Sequence, residues 1–520
     1  MERTIAMTSL ASRSVELPQS YQSMTAAKGL RATTHRNPNK VAITHGNQSR
    51  TYKELSERTD RLTAAAISKL KLNKGDNVAI VAKNSIEYVE VVCGLPDAGA
   101  AVATVNPRLT AKEVEAICND AQARVVFVDE SSADAVAAAN FDTVEHIIHL
   151  GDDYETLIKE ASVPDEYPEI NEWDPWTIPY TSGTTGKPKG VILPQRSRLL
   201  AFYQMSQEFG CYAPEDRFLG TTPMNHGAGI AFPLAALMSG GFTEILDHFD
   251  PEELLSKLKE GNFSGVFTVP TQHHAIFSLE QSVLDKYRGA PMKAVISNAS
   301  ALPQHLKHKI VEYFGEGMLH ETYGSTEGGF VTNLRPPFQL EKERCVGTPF
   351  PHTFVKLTDD DFNEVGPEEP GELWVKSPTA FAGYWNRPEA TAEAFRDGWV
   401  TVGDVAKQDE DGFIYIVDRK KDMVITGGVN VYPREIEELL FTHPAVSDVA
   451  VVGVPDEKWG ERLKVFVVLQ NGASLDEDGI AQFCAGKLAS YKVPKEMATI
   501  DGLPRNANGK VLKTELRKIG

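Results

Sequence analysis

Residues 181–190 read TSGTTGKPKG and combine three glycines with four hydroxyl side chains and two lysines. Glycines let backbone N–H groups turn toward a bound anion, and hydroxyl and ammonium groups add donors and positive charge. A Walker A loop is disfavoured, because only two residues separate Gly183 from Gly186 and because Pro188 stands where that loop needs Ser or Thr. The composition predicts a phosphate-binding loop of another kind, and an exposed surface loop is the alternative.

Short β-rich runs alternate with helix-like segments on both sides of this loop. The runs at 77–81, 124–128 and 265–269 are the clearest. Such alternation is typical of βα units that enclose a largely buried sheet. One helix carries its own boundary signals, because Asp250 can cap its start and Gly261 can end it. The pattern predicts an α/β fold.

The overall composition excludes several classes of protein. With 520 residues, of which 42% are hydrophobic, the chain is too long for one compact core and too apolar to be disordered. A formal net charge of −19 provides no basic field for nucleic acid or anionic lipid. Five scattered cysteines match neither a disulfide framework nor a zinc site, and no apolar run is long enough to span a membrane. We expect a cytoplasmic protein with no nucleic-acid partner and no stable membrane insertion.

The chain is expected to divide into two domains. Turn-rich sequence at 358–370 precedes short strands, which predicts a β-rich subdomain late in the larger domain. A charged cluster at 418–422 marks the boundary. Beyond it comes a compact alternation of elements: a helix from Pro433, strands at 446–454 and 464–469, and a helix at 475–490. We place a large N-terminal α/β domain at 1–420 and a small α+β domain at 421–520, which is a normal domain size.

Five further motifs follow the loop along the chain. They are PMNHG at 223–227, YGSTE at 323–327, WVTVGD at 399–404, DRKKD at 418–422 and PRNANGK at 504–510. Together with the loop, they resemble the adenylate-forming superfamily, which includes acyl-CoA and aryl-CoA synthetases, luciferases and the adenylation domains of peptide synthetases. The resemblance covers the chain from about residue 25 to its end. It implies a large adenylation domain, a small mobile C-terminal domain, and the use of ATP, Mg²⁺ and coenzyme A.

Side-chain chemistry and the resemblance together predict a nucleotide site. The ring of Tyr323 suits a purine, Thr326 can donate to a phosphate oxygen, and Glu327 is a hard oxygen ligand with an implied catalytic and metal-binding role. Asp404 can accept from both ribose hydroxyls, and the resemblance places Arg419 beside the same sugar. The ATP- or AMP-binding residues that the resemblance implies are Thr181, Ser182, Gly183, Thr184, Thr185, Gly186, Lys187, Lys189, Asn298, Ala299, Tyr323, Gly324, Thr326, Asp404, Arg419 and Asn430.

The resemblance also implies residues for the chemical steps. Lys510 would offset the charge that develops when a carboxylate attacks the α-phosphate. Lys421 takes the place of a hinge, which would swing Gly427 and Gly428 toward the site, where the two glycines let the pantetheine arm of coenzyme A pass. His226 lies where acyl-CoA synthetases often have a histidine beside the acyl carboxylate. Lys510 and His226 are therefore expected to be catalytic.

These expectations lead to an ATP-dependent carboxylic acid–CoA ligase, which forms acyl-AMP and pyrophosphate and then acyl-CoA and AMP. The segment 225–229 has no acidic residue to hold an ammonium group, which argues against an amino-acid substrate. The small residues Gly328 and Gly329 leave room, so a medium- or long-chain fatty acid or an aryl acid is expected. Two alternatives are an enzyme that loads the phosphopantetheine of a carrier protein and a non-catalytic nucleotide-binding homologue. A homodimer is also left open.

Overall fold

The computed structural model describes residues 20–182, 188–505 and 511–519. Local signals in the sequence explain some element boundaries directly. Asp250 accepts a hydrogen bond from the Glu253 backbone N–H at 2.8 Å, and the helix that it caps spans Pro251–Glu260. Gly261 follows the last helical residue, as predicted. Within the described ranges, every helix is too short or too polar to traverse a lipid bilayer.

Helices and strands are numbered here along the chain. In the described residues, helices α1 to α16 span Ala26–Arg36, Tyr52–Ser68, Ile86–Gly94, Ala111–Asp120, Ala133–Ala137, Asp152–Lys159, Gln195–Phe209, Gly227–Ser239, Pro251–Glu260, Pro270–Ile276, Gln281–Tyr287, Gln304–Phe314, Pro388–Ala394, Pro433–Leu440, Glu477–Cys484 and Lys513–Ile519. Strands β1 to β27 span Val41–His45, Gln48–Thr51, Asn77–Val81, Ala101–Val105, Ala123–Val128, His146–His149, Pro175–Thr177, Tyr180–Ser182, Pro188–Pro194, Arg217–Gly220, Phe242–Ile245, Gly265–Thr268, Ala294–Ser297, Leu319–Ser325, Gly329–Leu334, Cys345–Pro349, Phe354–Thr358, Gly371–Lys376, Gly383–Tyr384, Phe395–Arg396, Trp399–Gln408, Ile414–Arg419, Val424–Thr426, Val429–Val431, Val446–Asp456, Gly460–Leu469 and Glu496–Thr499.

Two sheets organise the N-terminal part of the chain. The larger has fourteen strands in the order β17-β18-β21-β22-β16-β15-β14-β13-β12-β10-β11-β1-β2, with β20 beside β21. The second has eight strands in the order β19-β9-β7-β4-β3-β5-β6, with β8 beside β9. Pairing is parallel from β11 through β10, β12 and β13 to β14, and again among β3 to β7. Apart from β6, which lies at the end of the second sheet and is largely exposed, these parallel strands are the buried strands that the sequence predicted.

Helices α7 and α8 connect the two sheets through the largest hydrophobic core. Phe232 of α8 stacks on Phe267 of β12 in the large sheet, with ring centroids 4.2 Å apart. Phe202 of α7 meets Trp176 of β7 in the second sheet edge to face, at 6.3 Å between centroids. The two helices also pack on each other, so the buried faces of α7 and α8 lie between the sheets.

The β-rich region predicted late in the large domain is present as the antiparallel strands β16, β17, β18, β21 and β22. These strands extend the large sheet beyond β15, because β16 pairs with both β15 and β22. Because the sheet is continuous, Asp404 on β21 and Arg419 on β22 lie in the same sheet as Tyr323 on β14.

A third sheet begins at Val424 and has five strands, in the order β24-β23-β26-β25 with β27 beside β26. Buried residues of α14, α15 and these strands form a core of their own. A few polar contacts join this part to the rest, and one is the hydrogen bond from the Arg434 backbone N–H to Asp418 Oδ2 at 2.9 Å. The α/β fold class with a separate C-terminal α+β part is confirmed, and the boundary between residues 420 and 421 stays a prediction.

Most predicted elements of the C-terminal part appear with shifted ends. The two strands span Val446–Asp456 and Gly460–Leu469. The helix expected at 475–490 is shorter and ends at Cys484. It stops there because Ala485 leaves the helical conformation, with ψ of 130°, and Gly486 follows with φ of +73°.

Candidate active site

The carboxyl ends of β13 and β14 meet at one edge of the large sheet, because the two strands are parallel neighbours. Asn298 and Ala299 follow β13 directly. Asn298 Nδ2 donates to Thr322 Oγ1 of β14 at 2.6 Å, which ties the two strand ends together. Ala299 has φ of +78°, a left-handed conformation that is strained for alanine. Such strain is often found where backbone faces a ligand.

Three residues form what we call the carboxylate cluster: Tyr323, Asp404 and Arg419. Asp404 is 4% exposed, accepts a hydrogen bond from Tyr323 Oη at 2.5 Å and pairs with Arg419 Nε at 2.5 Å. Asp404 and Arg419 are register partners across β21 and β22. Burial, and then the charge of Asp404, raise the pKa of Tyr323 well above its usual value, so its hydroxyl stays protonated. Three residues that the resemblance assigned to the nucleotide therefore lie together.

Glu327 lies in the turn between β14 and β15 and is 9% exposed. Its Oε1 accepts a hydrogen bond from Tyr384 Oη at 2.8 Å. The Lys189 ammonium group lies 5.1 Å from the centroid of the Tyr384 ring. No Lys, Arg or His side chain among the described residues forms an ion pair with Glu327. A nearly buried carboxylate without a cationic partner suits a bound cation.

Mg²⁺ fits this donor set. In the part of the chain that the structure describes, no group of three or more His, Cys, Asp or Glu side chains could hold a metal ion. Mg²⁺, however, is usually bound by one or two carboxylates together with substrate phosphates, not by an all-protein cage. Tyr384, the partner of Glu327, belongs to β19, which pairs with β9 after the phosphate-binding loop. Tyr384 therefore links Glu327 to the strand that follows the predicted phosphate-binding loop.

Glycine is required at two positions that flank the turn between β14 and β15, one in each strand. A Cβ on Gly324 would lie 2.2 Å from Gly329 O, and a Cβ on Gly329 would lie 2.4 Å from Thr379 Oγ1. Gly329 also has φ of +73°, a region that favours glycine. Thr379 takes the space at Gly329, so this glycine does not support the expectation of room for a bulky acid. Thr326 is half-buried in the same turn.

The segment predicted to bind phosphate, residues 181–190, contains the end of β8 and the start of β9. Thr181 and Ser182 end β8 and pair with Lys189 and Pro188 of β9. Tyr180 holds the start of β8, because its Oη donates to Asp120 Oδ2 at 2.8 Å. Other predicted site residues lie outside the described residues: Gly183, Thr184, Thr185, Gly186, Lys187 and Lys510.

His226 occupies the N-cap position of α8 and is half-buried. Asn225 Nδ2 lies 3.3 Å from His226 Nε2, and because the amide nitrogen can only donate, Nε2 accepts and the ring proton lies on Nδ1. Burial, and then the positive charge of Arg108, lower the pKa of His226 below its usual value. The imidazole is therefore neutral at neutral pH, and it can hold an acid by hydrogen bonding but not by charge.

The predicted coenzyme A residues lie on an exposed hairpin. Gly427 and Gly428 join β23 to β24 with φ of +59° and +79°, which is typical of a type I′ turn. A Cβ on Gly427 would lie 2.8 Å from Trp459 Cε3, so the glycine is also required for packing. Asn430 lies on the same hairpin, and Lys421 lies in the short turn before it. Among the described residues, no hydrogen bond joins this hairpin to the carboxylate cluster.

Some residues of the site carry no signal in the sequence. Tyr384 is 57 residues from its partner Glu327. Asp120 binds both Tyr180 and Arg387 and so supports the strand before the phosphate-binding loop. Neither position belongs to a motif or a recognisable spacing. Strand pairing and packing alone bring them to the site.

Comparisons with known proteins agree with this arrangement. A family described as AMP-binding enzyme matches residues 30–385, and the AMP-binding enzyme C-terminal domain matches residues 435–510. A 2-succinylbenzoate–CoA ligase of Geobacillus kaustophilus is 33% identical over 487 residues, which cover 93% of this chain and 95% of the relative. A long-chain-fatty-acid–CoA ligase of Escherichia coli O6:H1 is 32% identical, covering 96% and 95%. The solved structure of ATP-bound MatB from Rhodopseudomonas palustris superimposes with a TM-score of 0.86 at 29% identity, covering 96% and 99%.

Proposed function

The chain belongs to the AMP-binding enzyme family and is an AMP-forming acid–thiol ligase, and on this premise we propose how it works on a carboxylic acid, ATP and coenzyme A. The acid carboxylate attacks the α-phosphate of ATP, which forms acyl-AMP and releases pyrophosphate. The thiol of coenzyme A then attacks the acyl carbonyl, loses its proton and releases AMP. The observation that supports this most is the carboxylate cluster at the sheet edge beside Glu327.

We assign the nucleotide to the edge of the large sheet where the carboxylate cluster lies. Asp404 accepts from the ribose hydroxyls through lone pairs that Tyr323 and Arg419 leave free, since each carboxylate oxygen has two. The ring of Tyr323 and the turn at Asn298 contact the base. Donors of the phosphate-binding loop and Lys189 bind the phosphates.

The two half-reactions use different parts of the chain. Glu327 would hold Mg²⁺, which would offset the charge of the triphosphate. Lys510 stabilises the charge that develops during adenylation. A rotation at Lys421 then replaces Lys510 by the Gly427–Gly428 hairpin, which admits the pantetheine arm.

The proposal also extends to the class of acid substrate, the acyl acceptor and the cellular compartment. Relatives named for 2-succinylbenzoate and for long-chain fatty acids support an aryl or fatty acid, and their names also support coenzyme A as the acceptor. All five cysteines are buried free thiols, which supports the reducing cytoplasm as the compartment. A homodimer stays a prediction.

Replacing Lys510 by Ala tests the proposal. We expect acyl-AMP formation to fall about 100-fold or more, because the transition state loses its cation, while thioester formation from supplied acyl-AMP changes only slightly. The assays are pyrophosphate release with a panel of acids and thioester formation from synthetic acyl-AMP. The control is Lys518→Ala, which removes only an exposed ion pair with Glu515 of 2.7 Å.

Two outcomes would contradict the proposal. Equal loss in both half-reactions of Lys510→Ala would remove this lysine from the adenylation step. If wild-type protein formed acyl-AMP but transferred the acyl group only to a phosphopantetheinylated carrier protein, coenzyme A would not be the acceptor.

A further inference from the structure

One arginine is buried close to His226 without a compensating charge. Arg198 of α7 is 6% exposed. Its Nη2 donates to the Thr379 carbonyl oxygen at 2.7 Å, and its Nε has no hydrogen-bond partner. No carboxylate among the described residues forms an ion pair with it. Burial lowers its pKa to about 10, so the guanidinium remains charged at neutral pH.

Two buried lysines among the described residues have a carboxylate beside them. Lys307, 1% exposed, lies 2.5 Å from Glu321. Lys464, 8% exposed, lies 2.7 Å from Glu496. A buried charge without a counter-charge is strongly unfavourable, and one carbonyl oxygen compensates only part of that cost. The described residues therefore supply no anion to compensate the charge of Arg198.

The surroundings of Arg198 show where such an anion would bind. Arg198 lines a small cavity together with His226 and Gly227 at the start of α8 and with Thr104 and Thr177. Its remaining lining is apolar and consists of Trp176, Pro179, Leu193 and Ile230. The cavity volume is about 10 Å³, which is roughly room for one water molecule. A space of this size accepts a small polar group, such as one oxygen of a carboxylate that replaces a water. It does not accept the body of a fatty chain.

We take this anion to be a group other than the reacting carboxylate. A guanidinium that binds the oxygens of the reacting carboxylate withdraws charge from them and makes that carboxylate a weaker nucleophile toward the α-phosphate. We propose that Arg198 binds a second carboxylate of the acid substrate, so that the enzyme selects dicarboxylic acids. This inference rests on the proposed function, because it takes His226 to lie beside the acyl carboxylate, and it narrows the acid to one with two carboxylates.

The test compares each dicarboxylic acid with its own monomethyl ester, which has the same carbon chain but only one charge. Acids with one to four methylene groups between the carboxylates, and phthalic acid, are assayed for kcat/KM of AMP formation with ATP and coenzyme A. Wild type should prefer at least one free diacid over its ester about tenfold or more. Arg198→Met should lower that preference about tenfold while the activity with the ester stays within about threefold.

Two further variants control for the fold. Arg196→Met changes the same helix two residues earlier, where Arg196 pairs with Glu172 at 2.7 Å, and should leave the preference unchanged. Arg198→Lys keeps the positive charge but loses the planar guanidinium group that can bind a carboxylate through two hydrogen bonds, so it should also lower the preference for the diacid. If Arg198→Met does not fold, Arg198→Lys takes its place in the test.

The outcomes separate this inference from the proposed function. A preference that Arg198→Met leaves unchanged overturns the inference. If Arg198→Met lowers kcat/KM equally with the diacid and with its ester, the inference is also overturned. Arg198 would then bind the reacting carboxylate or serve only to hold the Thr379 segment. If wild type uses acids with one carboxylate as well as diacids, only this inference fails. If no acid of any kind yields AMP, the proposed function fails.

Discussion

Glu327 is a single residue whose charge, not its shape, is expected to matter. Glu327→Gln keeps the shape and removes the charge that would hold Mg²⁺. We expect acyl-AMP formation to require more Mg²⁺ and to slow about tenfold or more. Thioester formation from supplied acyl-AMP should change less, because that step has no triphosphate to organise. The measurement is a Mg²⁺ titration of AMP formation for both proteins.

Tyr384→Phe is the matched control for Glu327→Gln. It removes the 2.8 Å hydrogen bond to Glu327 but keeps the carboxylate charge. The Mg²⁺ requirement of this variant should therefore shift less than that of Glu327→Gln. Superimposable Mg²⁺ curves for wild type and Glu327→Gln would show that Glu327 does not bind the metal.

The β14–β15 turn is the element that positions Glu327, and its geometry depends on Gly329. Gly329→Ala places a Cβ 2.4 Å from Thr379 Oγ1 at a positive φ, whereas Gly317→Ala has a positive φ with no atom within 4 Å. Gly317→Ala should cost about 1 kcal/mol of stability, and Gly329→Ala about 2 kcal/mol more because of the added clash. Denaturant unfolding measures both, and equal losses would contradict the steric argument.

The whole folded protein keeps two buried histidines neutral. Burial lowers the pKa of His320 to about 4 and that of His273 to about 3, from about 6.5 in an unfolded chain. The unfolded chain therefore takes up protons first, and stability declines as the pH falls below about 6.5. His320 alone should cost about 2 kcal/mol between pH 7 and pH 5. Denaturant unfolding of wild type and His320→Gln at both pH values tests this, and an equal pH dependence would contradict it.

Much of the candidate site was predictable because its residues lie in short motifs with distinct chemistry. Tyr323 and Glu327 share one motif, and Asp404 and Arg419 each belong to another. The structure brings three of these residues into one cluster at hydrogen-bond distance and places Glu327 beside it, in the turn that follows β14. The two glycines predicted to bind coenzyme A were equally visible in the sequence, and in this structure they form an exposed hairpin.

The sequence by itself determined the α/β class, the order of most elements and local boundaries such as the start of α9 at Asp250. Such signals act within a few residues, through caps, turns and periodic burial. Only the tertiary structure decided that Tyr384 binds Glu327 and that Arg198 reaches the Thr379 carbonyl, across 57 and 181 residues. Those contacts depend on which strands and helices become neighbours, and no local spacing in the chain encodes that choice.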